Sequence, residues 1–375
     1  MCLMRPRRWR RRLAGIGAAV ALVAVCAALV AVPFVAGEEE AGPAAGPAPP
    51  AAPEPAPAPP GTPMERLEPP ARGGYLGVSG LHLVDRPDAL REWTAAQGVR
   101  PAIVGWFQQW QSGELRFRPD WARRAARRGA VPMITWEPWR APPGEPRIAE
   151  QPDVALARIA DGAFDDLVER WARDVAAYRG PVLIRLMHEM NGFWYPWGDA
   201  ANGNSPEDFV RAWRRVHRIF ARAGADNVSW VWSVNGLEGE GAEGRIRRLY
   251  PGDRYVDWVG LSAFNWGTAF EWSAWRDADW ITGRTYRALR AYGKPIMVAE
   301  IGTTDLGGDP AAWIADAMRR LRAFPDLRAV VWYDDIDGSG LDFRLRGQTA
   351  GALAGPGGLA RGWARPPRTR AVAPG

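Results

Sequence analysis

Cysteine and histidine are scarce in this 375-residue chain. The only two cysteines, Cys2 and Cys26, lie near the N-terminus, so the rest of the chain has no disulfide bond and no thiol chemistry. The only three histidines are His82, His188 and His217, which argues against a histidine-rich metal centre. We therefore predict no cofactor and no bound metal.

Residues 13–375 also have no excess of charge of either sign. The first 12 residues hold six of the 48 basic residues and no acid, so the remaining 42 basic residues balance the 42 acidic ones. Nucleic-acid binding needs a basic surface on the folded domain, and we predict no nucleic-acid partner. No glycine-rich GxGxxG turn follows the first predicted strand, which argues against a dinucleotide-binding fold.

Residues 1–37 have the composition of an export segment. Six arginines within 5–12 precede an apolar run over 13–37, which is long enough to span a bilayer. We predict a signal peptide or an N-terminal membrane anchor, a secreted or extracellular location, and membrane contact only through this segment. The Pro/Ala-rich residues 38–71 are predicted to form a disordered linker.

From residue 72 onwards, apolar runs of strand length alternate with helical patterns. Runs that are apolar throughout are typical of parallel strands covered on both faces. Eight such units over 72–355 predict an α/β fold, a single (β/α)8 TIM barrel, rather than an open doubly wound sheet. The tail, 356–375, is predicted to be loose and the protein to be a monomer. We predict strands at 75–79, 101–107, 131–136, 181–189, 228–233, 256–264, 295–301 and 327–333, and helices at 87–97, 119–128, 163–178, 206–223, 243–249, 272–292, 310–324 and 349–353.

Two carboxylates end predicted strands without a cation beside them in sequence. Glu189 ends the fourth strand and Glu300 the seventh. In a barrel of this kind the active site lies at the C-terminal ends of the strands, and strands four and seven lie on opposite sides of its mouth. Cleavage of a glycosidic bond needs two carboxyl groups, and a separation of about 5–5.5 Å indicates a retaining mechanism.

Aromatic side chains surround these acids in sequence. The chain has 21 tryptophans but only 8 tyrosines, and an indole offers a flat apolar face with one N–H donor, which suits stacking on a sugar ring. We predict that His188 and Asn191 bind substrate, and that Asn265 and Tyr333 support the site. More than half of the strand-end aromatics are expected to line a cleft, and the candidates for substrate contact are Trp136, Trp139, Trp194, Trp197, Trp266 and Trp332.

Arg185 shares the alternation of the fourth strand with Glu189. It is therefore predicted to point the same way, to lie below the site and to stabilise the negative charge of Glu300. The alternative is that Arg185 is a satisfied charge of the barrel interior with no part in the chemistry.

At these residues the sequence resembles glycoside hydrolase family 26, the β-mannanase family, over roughly residues 73–350. The resemblance rests on HisGluMetAsnGly followed by PheTrpTyrProTrpGly at 188–198. It is supported by ThrTrpGluProTrp at 135–139, ValGlyLeuSerAlaPheAsnTrp at 259–266 and AlaGluIleGly at 299–302.

The resemblance implies a (β/α)8 barrel that hydrolyses a β-linked polysaccharide with retention. It implies that Glu189 is the acid/base and Glu300 the nucleophile. It also implies that His188 contacts substrate and that Trp194 and Trp266 are cleft aromatics.

The sixth-strand motif departs from the family pattern. Phe264 stands where the family has a tyrosine that hydrogen-bonds the nucleophile, and Ser262 stands where the family has an acid. Loss of that hydroxyl is expected to raise the pKa of Glu300 or loosen its position. Tyr333 and Tyr195 are the candidates to replace it.

Two functions remain open at this point. The first is a retaining endo-β-glycanase acting on β-1,4-mannan, with β-1,3-1,4-glucan as the alternative substrate. The second is a polysaccharide-binding or exopolysaccharide-assembly protein on a weakened site. The presence of both Glu189 and Glu300 favours the enzyme.

Overall fold

The computed structural model describes residues 64–110, 116–139 and 149–354. Within them, eight parallel strands close into a barrel in sequence order, with the last strand paired to the first. This confirms the predicted (β/α)8 barrel. The strands are β1 (Tyr75–Ser79), β2 (Ile103–Gln109), β3 (Val131–Glu137), β4 (Val182–Leu186), β5 (Val228–Asn235), β6 (Trp258–Asn265), β7 (Ile296–Thr303) and β8 (Leu327–Tyr333).

The strands are buried on both faces, which explains their continuous apolar runs. In β3, Met133 belongs to the cluster inside the barrel, and Thr135 accepts a hydrogen bond there from Arg185 of β4. Trp136 points the other way, into the layer between barrel and helices, and stacks on Trp171. Alternate residues of each strand therefore serve the interior and the helix layer.

Helices cover the outside of the barrel. Ser205 and Asp309 cap two of them by accepting hydrogen bonds from backbone N–H groups of the first turn, and a proline follows each cap. Leu156–Asp161 is a short helix that is not among the predicted ones. The weak helix predicted at 349–353 is a single 3-10 turn at Gly347–Thr349. The α-helices of the described part are α1 (Ala89–Gln97), α2 (Pro119–Arg127), α3 (Leu156–Asp161), α4 (Asp165–Tyr178), α5 (Pro206–Arg222), α6 (Ala242–Arg248), α7 (Ala278–Leu289) and α8 (Pro310–Leu321).

The folded unit begins before residue 72, where the predicted barrel domain starts. Leu67 is buried in the interior cluster, and its carbonyl accepts a hydrogen bond from the Trp258 indole at the start of β6. The Tyr75 hydroxyl donates to the carbonyl of Glu68. Residues 66–68 therefore close the bottom of the barrel, opposite the strand ends that carry the predicted acids.

Several sequence predictions lie outside the described residues. These are the export segment at 1–37, the linker up to residue 63 and the tail at 356–375. Among the residues that the structure does describe, no helix is both long and apolar enough to cross a membrane.

Candidate active site

Glu189 and Glu300 lie together at the mouth of the barrel. Their side chains are almost fully buried, with 8% and 3% of the residue exposed. One oxygen of each carboxylate and one ring nitrogen of His188 all lie within 4.8 Å of one another. The barrel thus brings together two acids that are 111 positions apart in the chain.

Glu300 points inwards because β7 contains a bulge. Leu261 of β6 pairs with Val298, but the next residue, Ser262, pairs with Glu300, so Ala299 is an extra residue in the ladder. Ala299 belongs to the interior cluster, and strict alternation would have turned its neighbour Glu300 towards the helices. Bulges commonly re-aim a side chain beside an active site.

Glu189 lies in the loop that follows β4, not on the strand as predicted. The strand ends at Leu186, and Met187 and Glu189 both have positive φ, 43° and 54°. This left-handed backbone is uncommon for residues other than glycine and must be held by its surroundings. The Glu189 N–H donates to the carbonyl of Ser233 at 2.8 Å, which ties the acid to the end of β5.

Asn191 fastens the same loop to β5. Its side-chain amide donates to the carbonyl of Asn235 at 3.1 Å, and its side-chain oxygen accepts from the Asn235 N–H at 2.8 Å. Both the N–H group and the oxygen of the Asn191 side chain are thus hydrogen-bonded within the protein. The structure places Asn191 as a brace of the loop that carries Glu189, whereas the sequence predicts a substrate contact.

Arg185 lies below the two acids and is fully buried. Its guanidinium donates to Glu300 at 2.7 Å, to the hydroxyl of Ser262 at 3.0 Å and to that of Thr135 at 3.2 Å. The Ser262 hydroxyl also lies 3.4 Å from the same Glu300 oxygen. A positive charge and a hydroxyl therefore support the carboxylate of Glu300.

The surroundings of Glu189 favour its protonated form. Burial raises the pKa of Glu189 to about 7, and the negative charge of nearby Glu300 adds to the rise. The charge of Arg185 and hydrogen bonds from Ser262 and Trp194 act in the opposite direction but do not cancel the effect. Glu189 therefore carries a proton up to near-neutral pH, as a general acid must.

His188 is held in place by two aromatic residues. Its Nε2 lies 3.1 Å from the hydroxyl of Tyr195, and its carbonyl accepts a hydrogen bond from the Trp197 indole at 2.6 Å. Tyr195 and Trp197 stack on each other with ring centroids 4.4 Å apart. Burial, and then the charge of Arg185, lower the pKa of His188 well below its usual value, so the ring is neutral.

The predicted cleft tryptophans divide into two groups. Trp194 and Trp266 are half-buried and keep part of the indole open at the mouth, and the Trp194 N–H also donates to Glu189 at 3.0 Å. The other four are almost entirely buried, which corrects the expectation that most of the set lines a cleft. Trp136 and Trp332 pack against helix residues. Trp139 and Trp197 pack against the ring of Tyr195.

The two residues predicted to support the site are engaged within the fold. The Asn265 amide donates to the Thr303 hydroxyl and accepts from the N–H of Arg276, which shapes the loop after β6. The Tyr333 hydroxyl donates to the carbonyl of Ile336.

Neither candidate replaces the missing family tyrosine. The hydroxyl of Tyr333 is directed to Ile336 and that of Tyr195 to His188. The contacts that Glu300 makes instead come from Arg185 and Ser262.

One buried residue of the site is absent from the predicted set. Glu137 ends β3, is 3% exposed, and has its Oε1 atom 3.7 Å from Nδ1 of His188. Its inward direction follows from the alternation with Thr135, which is the sequence signal that identifies it.

His188, Glu189 and Glu300 form a compact group whose nitrogen and oxygen atoms could coordinate a metal ion. The guanidinium of Arg185 already pairs with Glu300, so positive charge is present where a cation would bind. The acidic run that begins at Asp334 is turned towards the protein: Asp334 accepts from the Trp93 indole and from the N–H of Leu345. This arrangement suits two-carboxylate chemistry better than metal binding.

Comparison with known proteins agrees with this geometry. The family model described as glycosyl hydrolase family 26 matches residues 146–304, a span that contains both acids. Endoglucanase H of Acetivibrio thermocellus is 34% identical over 251 residues, which is 66% of this chain and 26% of that protein. The chain belongs to glycosyl hydrolase family 26. This confirms the predicted family and the class of glycoside hydrolases.

Other relatives give a consistent result. A mannan endo-1,4-beta-mannosidase of Bacillus subtilis (strain 168) is 28% identical over 161 residues, 42% of this chain and 37% of that protein. The chain thus spans well under half the length of these two relatives. The solved structure of a modular endo-beta-1,4-mannanase from Cellulomonas fimi has the same fold, with a TM-score of 0.58 at 16% identity over 77% of this chain and 72% of that one.

Proposed function

We propose that this family 26 protein is a retaining endo-β-glycanase that cleaves a β-1,4-mannan-type polysaccharide by double displacement. The observation that carries the proposal is the separation of the two acids, with one oxygen of each within 4.8 Å of the other. Inverting enzymes keep their carboxyl groups about 6.5–9.5 Å apart to admit a water molecule, whereas retaining pairs stand at about 5–5.5 Å. The pair in this barrel is close enough for direct attack on the sugar.

In the first step Glu189 donates its proton to the glycosidic oxygen. The carboxylate of Glu300 attacks the anomeric carbon as the bond to the leaving oxygen breaks, and a glycosyl ester of Glu300 forms. The pKa of about 7 for Glu189 keeps that proton available near neutrality.

In the second step Glu189, now ionised, removes a proton from a water molecule. The resulting hydroxide attacks the anomeric carbon from the side that the leaving group vacated, and the ester bond to Glu300 breaks. Glu300 is released as a carboxylate and Glu189 is again protonated, so both acids return to their starting states.

The support of Glu300 differs from the family pattern but is present. Phe264 has no hydroxyl and contacts Trp266, Tyr333 and Phe343 with its ring. Arg185 and Ser262 supply the positive charge and the hydroxyl to the Glu300 carboxylate. This intact support favours an enzyme over a binding or exopolysaccharide-assembly protein with a weakened site.

The substrate is proposed from the relatives. One of them is named a mannan endo-1,4-beta-mannosidase and another an endoglucanase, so mannan is the first candidate and β-1,3-1,4-glucan the second. The apolar run at 13–37 supports a location outside the cytoplasm, with the protein secreted or held at the membrane by that segment. We propose that it acts as a monomer.

Release of reducing sugar by the full-length protein tests this proposal. The substrates are mannan, mixed-linkage β-glucan and xylan, and the matched control is Glu300→Ala. We expect release from mannan by the wild type and none by the variant. Retained binding without release from any of the three polysaccharides would overturn the enzyme and favour the binding protein.

A further inference from the structure

We infer that Glu137 and His188 together bind one hydroxyl group of the sugar that sits against Glu189 and Glu300. The inference rests on the proposed function and adds Glu137 as a specificity-determining residue of the same site. Its basis is the juxtaposition of Glu137 Oε1 and His188 Nδ1, 3.7 Å apart.

The position of Glu137 follows from the alternation of β3. Met133 and Thr135 point into the barrel, so Glu137, two residues further on, points into the mouth above them. The negative charges of Glu300 and Glu189 act on its carboxyl group, which places it in the same pocket.

The Trp139 indole interacts with the Glu137 carboxyl group, but two buried polar atoms beside it lack a hydrogen-bond partner. Glu137 Oε1 and His188 Nδ1 make no hydrogen bond to any residue that the structure describes. Their separation of 3.7 Å is too long for a direct bond between them. Leaving a buried polar group without a hydrogen bond is unfavourable, so a pair of such atoms beside the reacting acids indicates a place for a polar ligand atom.

A sugar hydroxyl fits this pair. An oxygen atom at about 2.8 Å from each of two atoms separated by 3.7 Å makes two hydrogen bonds of ordinary length. A hydroxyl is both donor and acceptor, so it can accept from one member of the pair and donate to the other. The pair therefore selects a hydroxyl over a methylene group or a carboxylate.

The surroundings hold the pair ready for this role. The other nitrogen of His188 is already engaged by the hydroxyl of Tyr195, which sets the direction of Nδ1. Burial raises the pKa of Glu137 well above its usual value and lowers that of His188, so both groups are neutral. A neutral pair leaves the charge balance between Arg185 and Glu300 undisturbed.

Monodeoxy substrates test the inference. The probes are a 4-nitrophenyl β-glycoside of the sugar that the wild type hydrolyses and its analogues that each lack one ring hydroxyl. We expect Glu137→Ala to lower kcat/KM about 10- to 100-fold on the parent glycoside and to have no further effect on one deoxy analogue. Glu137→Gln, which keeps a donor and an acceptor, is expected to recover most of the loss.

A double-mutant cycle provides a second test of the pair. If Glu137 and His188 bind the same hydroxyl, the losses caused by Glu137→Ala and His188→Ala will be strongly non-additive. Glu271→Ala, at an exposed residue in the loop after β6, is the control and is expected to leave kcat/KM unchanged. Equal losses on every deoxy analogue would show that Glu137 only maintains the fold, and would overturn the inference.

Failure of the proposed function is distinguishable from failure of this inference. A wild type that hydrolyses no glycoside contradicts the enzyme itself. Titration calorimetry with manno- and gluco-oligosaccharides then decides the role of the pair: weaker binding by Glu137→Ala supports the inference, and unchanged or absent binding contradicts it.

Discussion

At the scale of single residues, the site depends on two buried carboxyl groups whose surroundings differ. Glu300 has the guanidinium of Arg185 at 2.7 Å, whereas Glu189 has an indole N–H and no adjacent cation of its own. Burial without a close counter-charge favours the neutral acid, and an ion pair favours the carboxylate. The division of roles between acid and nucleophile therefore follows from these contacts.

The raised pKa of Glu189 makes protein stability depend on pH. Its pKa is about 7 in the folded protein against an ordinary value of 4.5, so its contribution to stability is complete below the ordinary pKa and is lost as pH rises through about 7. Glu189→Gln cannot ionise, and it is expected to abolish hydrolysis yet to raise the free energy of unfolding at about pH 8 by up to roughly 3 kcal/mol. Urea unfolding measures this difference.

The matched control for that experiment is Glu238→Gln, which changes an exposed acid in the loop after β5. It is expected to change the free energy of unfolding little at either pH. At about pH 4 the wild type and Glu189→Gln should agree, because Glu189 is then protonated in both the folded and the unfolded chain. A Glu189→Gln variant that is less stable than the wild type at high pH would contradict the assigned pKa.

Ser262 is expected to tune both acids. Its hydroxyl contacts Arg185 and Glu300, and its hydrogen bond lowers the pKa of Glu189. Ser262→Ala should therefore move the alkaline limb of the kcat/KM profile to higher pH and lower kcat severalfold with little change in KM. Ser229→Ala, another buried serine of the barrel interior, is the control, and an alkaline limb that stays in place in Ser262→Ala would contradict this role.

At the scale of elements, the loop after β4 determines where Glu189 stands. It leaves the strand through two left-handed residues and is braced to β5 by Asn191. Gly192 is required within it, because a Cβ there would lie 2.6 Å from the ring of Trp194. The acid is thus positioned by a rigid loop and not by the strand itself.

Asn191→Ala tests this brace. It removes two hydrogen bonds to the backbone of Asn235, so we expect a loss of about 1–3 kcal/mol in the free energy of unfolding. The kcat is expected to fall as the loop loosens. Asn191→Asp keeps the acceptor, so its free energy of unfolding should lie between those of the wild type and Asn191→Ala. An Asn191→Ala variant with lower kcat but unchanged stability would instead indicate a substrate contact.

The positions of the strands can be predicted from the sequence, but their irregularities cannot. All eight strands are predicted within a few residues, because long apolar runs between turn residues are a strong signal. The end of β4 and the bulge at Ala299 are not predicted, since strands buried on both faces carry no alternation from which register or bulges are visible. The inward direction of Glu300 is therefore a structural result.

At the scale of the whole molecule, closure of the barrel brings the fourth and seventh strands to face each other. The two acids are identifiable from sequence because each lies at or just beyond the end of an apolar run, Glu189 after β4 and Glu300 within the C-terminal half of β7. Sequence does not predict the burial of four strand-end tryptophans, because an indole beside a strand end packs as readily behind the site as in it. These are Trp136, Trp139, Trp197 and Trp332. The alternation of β3 predicts the inward direction of Glu137, but its contact with His188 is seen only when the ends of β3 and β4 are brought together.

Closure of the barrel makes Glu189 and Glu300 a proposed retaining pair. Proton NMR of the anomeric signals during the first minutes of oligosaccharide cleavage tests it most directly, with Glu300→Ala as the control. We predict that the β-anomer appears first and then equilibrates, and that the variant releases nothing. Initial release of the α-anomer, or equal release by the Glu300→Ala variant, would contradict it.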